Sequence, residues 1–223
     1  MTKELFFRAV LKFISGIIIV GLLIFIPAGT IAYWNGWLFM GILFIPILFT
    51  GVIMIFKNPG LLEKRLYAKE KHSEQRSVII LSFFMFLVGF VSAGLSFRFN
   101  WLMLPTEISI SGAAVFLIAY LLYAEVLREN TYLSRTIEVQ KDQIVIDTGF
   151  YRIVRHPMYS VTIILFLTMP LILGSLFSFA VFLVYPFIIA IRIKHEELLL
   201  EKELMGYREY QKRVKYKLMP FIW

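Results

Sequence analysis

"MYSVTIILFLTMPLILGSLFSFAVFLVYPFIIAI", residues 158–191, contains no Asp, Glu, Lys, Arg or His. As one helix at 1.5 Å per residue it would extend about 51 Å, whereas the hydrocarbon core of a bilayer is roughly 30 Å thick. The run is too long for one crossing and barely long enough for two. Gly174 and Ser175 near its middle supply turn chemistry, so the stretch reads as a tight helical hairpin, either spanning or re-entrant. Both ends of such a hairpin return to the same membrane face.

Upstream lie four further uncharged runs, at 13–33, 37–56, 78–97 and 108–123. The first three match the roughly 20 residues of a transmembrane helix, and the fourth reaches that length by borrowing its flanks. The first run follows Lys3, Arg8 and Lys12 as a signal peptide does, yet it exceeds the usual apolar stretch of about 7 to 15 residues and is read as a retained span. The expected fold is therefore an all-α integral membrane protein with four transmembrane helices plus a C-terminal helical hairpin, five to six membrane segments in all. Residues 1–123 form the scaffold, including an amphipathic loop at 57–77, and residues 124–223 form a separate C-terminal region containing the hairpin.

Charge sets the orientation. Of 223 residues 59% are hydrophobic and 17% charged, with a net charge of +8. With the N-terminus inside, this topology places every Lys and Arg except Arg98 on the cytoplasmic side, as the positive-inside rule requires. The basicity needs no nucleic acid partner; orientation and anionic lipid headgroups account for it. The chain has no cysteine, which removes disulfides, thiolate metal sites and a cysteine nucleophile; no metal is called for. There is no internal repeat and no small-xxx-small helix pair of the G-x-x-x-G type.

Three polar blocks face that side. The first, 57–77, reads as an interfacial amphipathic helix with Leu61, Leu62, Leu66 and Tyr67 toward lipid. The second, from Glu125 onward, includes "IEVQKDQIVIDTG", a short extended pair around a turn at Lys141 and Asp142. The third begins at Arg192 as a helix leaving the bilayer, with Arg192, Glu196, Glu203 and Tyr207 along roughly one side, and with Gly206 and Pro220 as breaks.

Between the second and third blocks stands "GFYRIVRHPMYS", residues 149–160. Much of it suits a plain helix entrance: Arg152 and Arg155 snorkelling, Pro157 at the first helical position, Tyr151 and Tyr159 in the aromatic belt. His156 is left over, because Ser or Asn would cap a helix better. So are Glu196 and Glu197, two acids in a basic neighbourhood. A mouth lined by Arg, His, Tyr and Glu beside lipid suits a reaction between a soluble charged cofactor and a membrane-dissolved substrate.

These residues carry a likeness. "GFYRIVRHPMYS" followed by "RIKHEELLLEKELMGYREY" resembles the R-H-P-x-Y … E-E signature of the isoprenylcysteine carboxyl methyltransferase family, whose members are integral membrane methyltransferases. The likeness extends over 130–210, with Phe150 where that family has proline. It implies a cytoplasmic S-adenosylmethionine pocket formed by the C-terminal third, which makes 124–223 a cofactor-binding catalytic region and S-adenosylhomocysteine the product. By the resemblance, His156, Pro157, Tyr159, Glu196 and Glu197 contact the cofactor, Gln140 and Tyr151 close the pocket, and Arg155 or Arg192 faces the acceptor with Glu197 near the reaction. The implied activity is carboxyl methylation of a lipophilic substrate such as a prenylated cysteine. The same R-H-P-x-Y segment leaves open a phospholipid N-methyltransferase, and a NADPH-dependent membrane sterol or enone reductase whose pattern Met158, Ser160 and Val161 do not follow. A carrier or structural subunit ranks below these, since the spans hold no charge and the cluster would be idle. The expected partners are the bilayer and a lipid-like small molecule, and the expected location is a prokaryotic plasma membrane with both termini cytoplasmic; oligomeric state is not legible.

Overall fold

The computed structural model describes residues 3–57, 59–67, 73–133 and 138–223, and these are helical with no named strand. In chain order the helices are α1 (Lys3–Ala28), α2 (Trp34–Lys57), α3 (Pro59–Tyr67), α4 (Ser73–Phe99), α5 (Thr106–Glu129), α6 (Pro157–Ile172), α7 (Leu176–Phe182), α8 (Tyr185–Glu203) and α9 (Tyr207–Arg213). Among the described residues, five segments are long and apolar enough to cross a membrane: Glu4–Ala28, Trp34–Lys57, Arg76–Phe99, Thr106–Glu129 and Leu176–Glu203. The protein is an all-α membrane protein.

The hairpin is asymmetric. Its first arm, α6, has 16 residues and is about 24 Å long, short of a full hydrocarbon core. Its second arm is the longer segment α7–α8, interrupted at Leu183 and Val184. The turn between the arms falls at Gly174, where φ is +68° and a residue without Cβ is needed. Ser175 caps α7 by accepting from the Ser178 amide at 3.1 Å.

This turn is buried beneath other elements. Gly174 O accepts from Leu104 N at 2.8 Å, Leu102 O accepts from Leu176 N at 3.3 Å, and Met103 bridges Ser175. Asn35 donates to Ser109 Oγ at 2.9 Å and to Ile172 O at 3.0 Å, while Tyr33 donates to Leu173 O. With no water in a bilayer core, a turn at membrane depth survives only where protein satisfies its backbone groups. These bonds do so, and they fix the end of α6 opposite the polar cluster.

Helix α5 lies along α6, α1 along α4, and α4 also meets α7 and α8. Small residues on α4 allow this without a G-x-x-x-G pair. Ala93 is fully buried, a Cβ on Gly94 would stand 2.5 Å from Ile24 O, and one on Gly89 would stand 2.3 Å from the Phe182 ring. Gly89 and Gly94 meet two different partners, α7 and α1, instead of forming a single G-x-x-x-G dimer face.

Three expectations are corrected. Helix α3 forms within the first polar block, but Leu62 is buried, not turned to lipid; the Leu61 and Tyr67 side chains and residues 68–72 lie outside the described residues. The turn at Lys141 and Asp142 is present, with Gln143 N bonded to Gln140 O at 3.1 Å, yet no strand pair flanks it among the described residues, which exclude 134–137. Glu203 is exposed: the inner side of α8 continues from Arg192 and Glu196 through Leu200 and Leu204, and the chain then reverses at Gly206, where φ is +82°, before delivering Tyr207.

Candidate active site

Pro157 opens α6 at its first turn, where its missing N–H costs no helical bond. His156 is the preceding N-cap residue but makes no side-chain cap. The imidazole is used elsewhere. Its Nε2 lies 3.2 Å from Glu197 Oε1 and its Nδ1 lies 3.9 Å from Glu196 Oε1. An ionised carboxylate only accepts, so Nε2 carries the proton.

Glu197 is buried at the centre of three donors. Arg155 Nε reaches Oε1 at 2.7 Å, His156 shares that oxygen, and Lys217 Nζ reaches Oε2 at 2.9 Å. The remaining Arg155 fork donates to the carbonyls of Val214 and Lys215 at 2.8 and 2.9 Å. Residues 214–218 thus form a strap across the start of α6. Arg155 N donates to Tyr216 O and His156 N to Lys217 O, both at 2.9 Å, and Ser160 Oγ donates to Leu218 O at 2.6 Å. A buried charge is tolerated when it is paired and hydrogen-bonded on all sides, which is the condition of Glu197.

Glu196, one residue on, points to a different place. Tyr159 donates its hydroxyl to Glu196 Oε2 and accepts from Arg192 Nε at 2.8 Å. Arg192 also stands over the Tyr159 ring, 5.9 Å from its centroid, and the His156 ring stacks with that of Tyr159, centroids 5.7 Å apart. The relay Arg192, Tyr159, Glu196 holds the carboxylate in a cavity wall.

That cavity encloses about 100 Å³ and opens at a mouth. Arg155, His156, Tyr159, Arg192 and Glu196 line it, as do Tyr151, Asn130 and Glu138. The hydroxyls of Tyr151 and Tyr207 are buried without a hydrogen-bond partner among the described residues; Asn130 stands beside Tyr151 but outside bonding geometry. Burial pushes the phenols of Tyr151, Tyr207 and Tyr210 above their ordinary value, so all three are neutral donors at physiological pH. Tyr210 uses its hydroxyl on Tyr151 O at 2.7 Å. Unpaired buried hydroxyls cost about 1 to 3 kcal/mol each, which a polar ligand in the cavity would recover.

Of the expected site residues, Tyr151, Arg155, His156, Tyr159, Arg192 and Glu196 converge on this cavity. Gln140 is not in its wall: it braces the preceding loop by donating to Tyr132 O at 2.6 Å, and the neighbouring Gln143 lines the cavity. Pro157 and Glu197 also stand behind the wall. Lys217, Tyr207 and Asn130 were not anticipated; Lys217 carried no signal in a tail full of bases, whereas Tyr207 did fall on the expected line from Arg192.

A second, larger cavity of about 760 Å³ opens among α2, α3, α4, α5, α6 and α8. It is lined by Ile47, Met54, Phe83, Phe86, Phe166 and Ile189 among others. Met158, Tyr159 and Arg192 line both cavities, so the two meet at the Arg192–Tyr159 bond.

No curated protein matches the chain. Residues 108–205, spanning α5 to the end of α8, match the family model described as phospholipid methyltransferase. This stretch, which covers less than half of the chain, contains α6, α8 and the His156, Tyr159, Arg192 and Glu196 cluster, so the part that builds the site is similar to a family of membrane methyltransferases.

Proposed function

We propose that the protein is a membrane-embedded, S-adenosylmethionine-dependent methyltransferase that methylates the carboxylate of a lipophilic acceptor, a prenylated cysteine being the type the sequence likeness suggests. The observation that carries this reading is the junction of a polar cavity with an apolar one at Arg192 and Tyr159. A water-soluble donor and a lipid-dissolved acceptor need such a junction, since each otherwise pays to enter the other's phase.

The polar cavity suits the cofactor chemically. Its charges of both signs call for an acid and for bases, and its many polar atoms call for neutral donors. Glu196 offers a carboxylate, His156 and Arg192 line the same cavity beside it, and Tyr151 and Tyr207 present hydroxyls without a partner among the described residues. When bound, the group supplies an electrophilic methyl on a sulfonium.

The protein's own part is alignment. A carboxylate is ionised at neutral pH and needs no base. Arg192 holds one acceptor oxygen while Tyr159, bonded to both Arg192 and Glu196, ties the two halves of the site into one geometry. Anion and cation neutralise each other as the methyl moves, so the dry side of the junction favours the reaction, and positioning to about 3 to 3.5 Å supplies most of what remains. Glu197, saturated by Arg155, His156 and Lys217, serves as a positioning residue for His156.

The family match favours a second reading, a phospholipid amine acceptor with the same cofactor. An amine must lose a proton. The Glu197 oxygens are engaged, and Arg192 is the one charged residue among the described residues lining the apolar cavity, which suits an anion better than an ammonium. The deciding experiment is calorimetric titration of S-adenosylhomocysteine into the purified protein, with NADPH in parallel. Micromolar binding of the first and none of the second is expected; NADPH binding alone would replace this function by a reductase. Radiolabelled methyl transfer to a prenylcysteine analogue against phosphatidylethanolamine then separates the two acceptors.

A further inference from the structure

Beyond the strap the chain closes a tight turn that shows its apolar side chains outward. Met219, Phe221 and Ile222 are 54%, 88% and 76% exposed. Single exposed apolar residues are ordinary, but a cluster of large ones marks a contact surface. The turn does not need these side chains for its closure. Ile222 N and Trp223 N bond to Met219 O at 3.2 Å, and the amides of Lys217, Leu218 and Met219 converge on Trp223 O at 2.9, 2.9 and 3.2 Å. Phe221 sits at φ +66°, a conformation unfavourable for a bulky residue and one that glycine adopts freely. Its ring meets that of Tyr216, centroids 5.3 Å apart, and otherwise points away from the protein.

The level of the turn decides what it faces. Ser160 Oγ donates to Leu218 O at 2.6 Å, which ties the turn to the start of α6. The uncharged run of the hairpin begins at Met158 and ends at Ile191, next to Arg192, whose Nε bonds Tyr159. Leu218 is therefore level with the place where both arms enter the apolar layer. Met205 supplies the contrast. It is 94% exposed, but α8 runs on from Arg192 to Glu203 before reaching it, about 16 Å of helix, so its exposure is to water. The charges agree with an interfacial position. From Tyr207 to Trp223 the chain has five bases and one acid. Arg213 is paired with Asp147 at 2.8 Å and Lys217 with Glu197, while Arg208, Lys212 and Lys215 are exposed. Bulky apolar residues beside bases are the composition of a segment lying in the surface of an anionic leaflet.

We propose that residues 219–222 are an interfacial anchor: Met219, Phe221 and Ile222 enter the headgroup–acyl boundary of an anionic bilayer leaflet, and Lys215 meets its headgroups. Lys217 carries the effect inward. Its ammonium lies 5.1 Å from the Trp223 ring centroid, its Nζ bonds Glu197 Oε2, and its carbonyl accepts from the His156 amide. Lipid contact at the turn thereby steadies the carboxylate that positions His156. This consequence, unlike the anchor itself, rests on the reading of the polar cavity as the cofactor site.

The test uses the full-length protein, which has no cysteine of its own. Ile222→Cys and Met205→Cys are labelled separately with a nitrobenzoxadiazole fluorophore. Each is placed in nanodiscs of phosphatidylcholine and phosphatidylglycerol that contain a lipid spin-labelled near the head of its acyl chain. Quenching at position 222 should exceed that at 205 about threefold or more, as burial in the interface requires. It should fall when phosphatidylglycerol is omitted. Adding Phe221→Gly, which suits the turn's backbone and removes only the apolar ring, should lower quenching at 222 toward the value at 205. Equal quenching at the two positions would overturn the anchor and leave the apolar turn to a partner protein. Quenching indifferent to phosphatidylglycerol, or to Phe221→Gly, would overturn it as well. Phe221→Gly alone should weaken S-adenosylhomocysteine binding in nanodiscs about fivefold; undiminished affinity would break the link to Glu197. If S-adenosylhomocysteine does not bind the unaltered protein, the cofactor reading fails, and the quenching still decides the anchor.

Discussion

Two adjacent acids with opposite surroundings define the site. Glu197 is saturated by three donors, and Glu196 looks into the cavity with one oxygen taken by Tyr159. Replacing Glu196 by Gln removes a charge-assisted contact worth roughly 1.5 to 3 kcal/mol, so affinity for S-adenosylhomocysteine should fall about tenfold or more by calorimetry. Undiminished affinity would take Glu196 out of the site. Arg192→Ala should instead lower turnover far more than cofactor affinity, because its partner Tyr159 is shared by both cavities; an unaltered rate would make it a snorkelling residue. The residue types of this cluster were legible in the sequence, since His156 and the two glutamates had no use in a membrane entrance. What was not legible was which side chains face inward. Arg155 looked like an acceptor contact, and its fork is instead spent on Glu197 and the carbonyls of Val214 and Lys215, a bond pattern that depends on where a tail 60 residues away returns.

At the scale of elements, the hairpin could be read from its length and its Gly174–Ser175 centre, but the strap and the α4 seam could not. The strap has no hydrophobic period; it is held by backbone and side-chain bonds to residues 155, 156 and 160. Truncation after Val214 removes Lys217 from Glu197 and the carbonyl partners of the Arg155 and His156 amides. It should therefore abolish S-adenosylhomocysteine binding while the protein still inserts and purifies; full affinity in the truncated chain would reduce the strap to a surface ornament. The seam behaves differently. Gly94→Ala drives a methyl into Ile24 O and the Ala28 amide, both backbone and unable to rotate away, so α1 must move off α4. Overpacking of this kind costs about 1 to 3 kcal/mol, seen as a lower thermal midpoint in detergent. Cofactor affinity should be unchanged, because α1 and α4 contribute nothing to the polar cavity.

For the whole molecule, the charge distribution and the position of the polar cavity make one linked prediction. The helices alternate in direction, so the described residues around Lys12, Lys57, Arg76, Arg128, Arg155 and 192–217 gather at one end of the bundle, and the connection holding Arg98 lies at the other. The polar cavity is built from residues within 130–133, 138–159 and 192–210, all at the basic end. If the positive-inside rule sets the orientation, the cavity mouth opens to the cytoplasm, where a charged soluble donor is available, and the covered Gly174 turn faces outward. The absence of cysteine makes this measurable without background. Glu107→Cys at the exposed start of α5 and Lys212→Cys at an exposed position of α9 should label oppositely with a membrane-impermeant maleimide. Position 107 should react in right-side-out vesicles and position 212 only in inverted ones. The reverse pattern would put the cavity on the outer face, away from a cytoplasmic methyl donor. In that case the site would have to serve a donor delivered from outside, and the function proposed for it would fail on access alone, whatever its residues could bind.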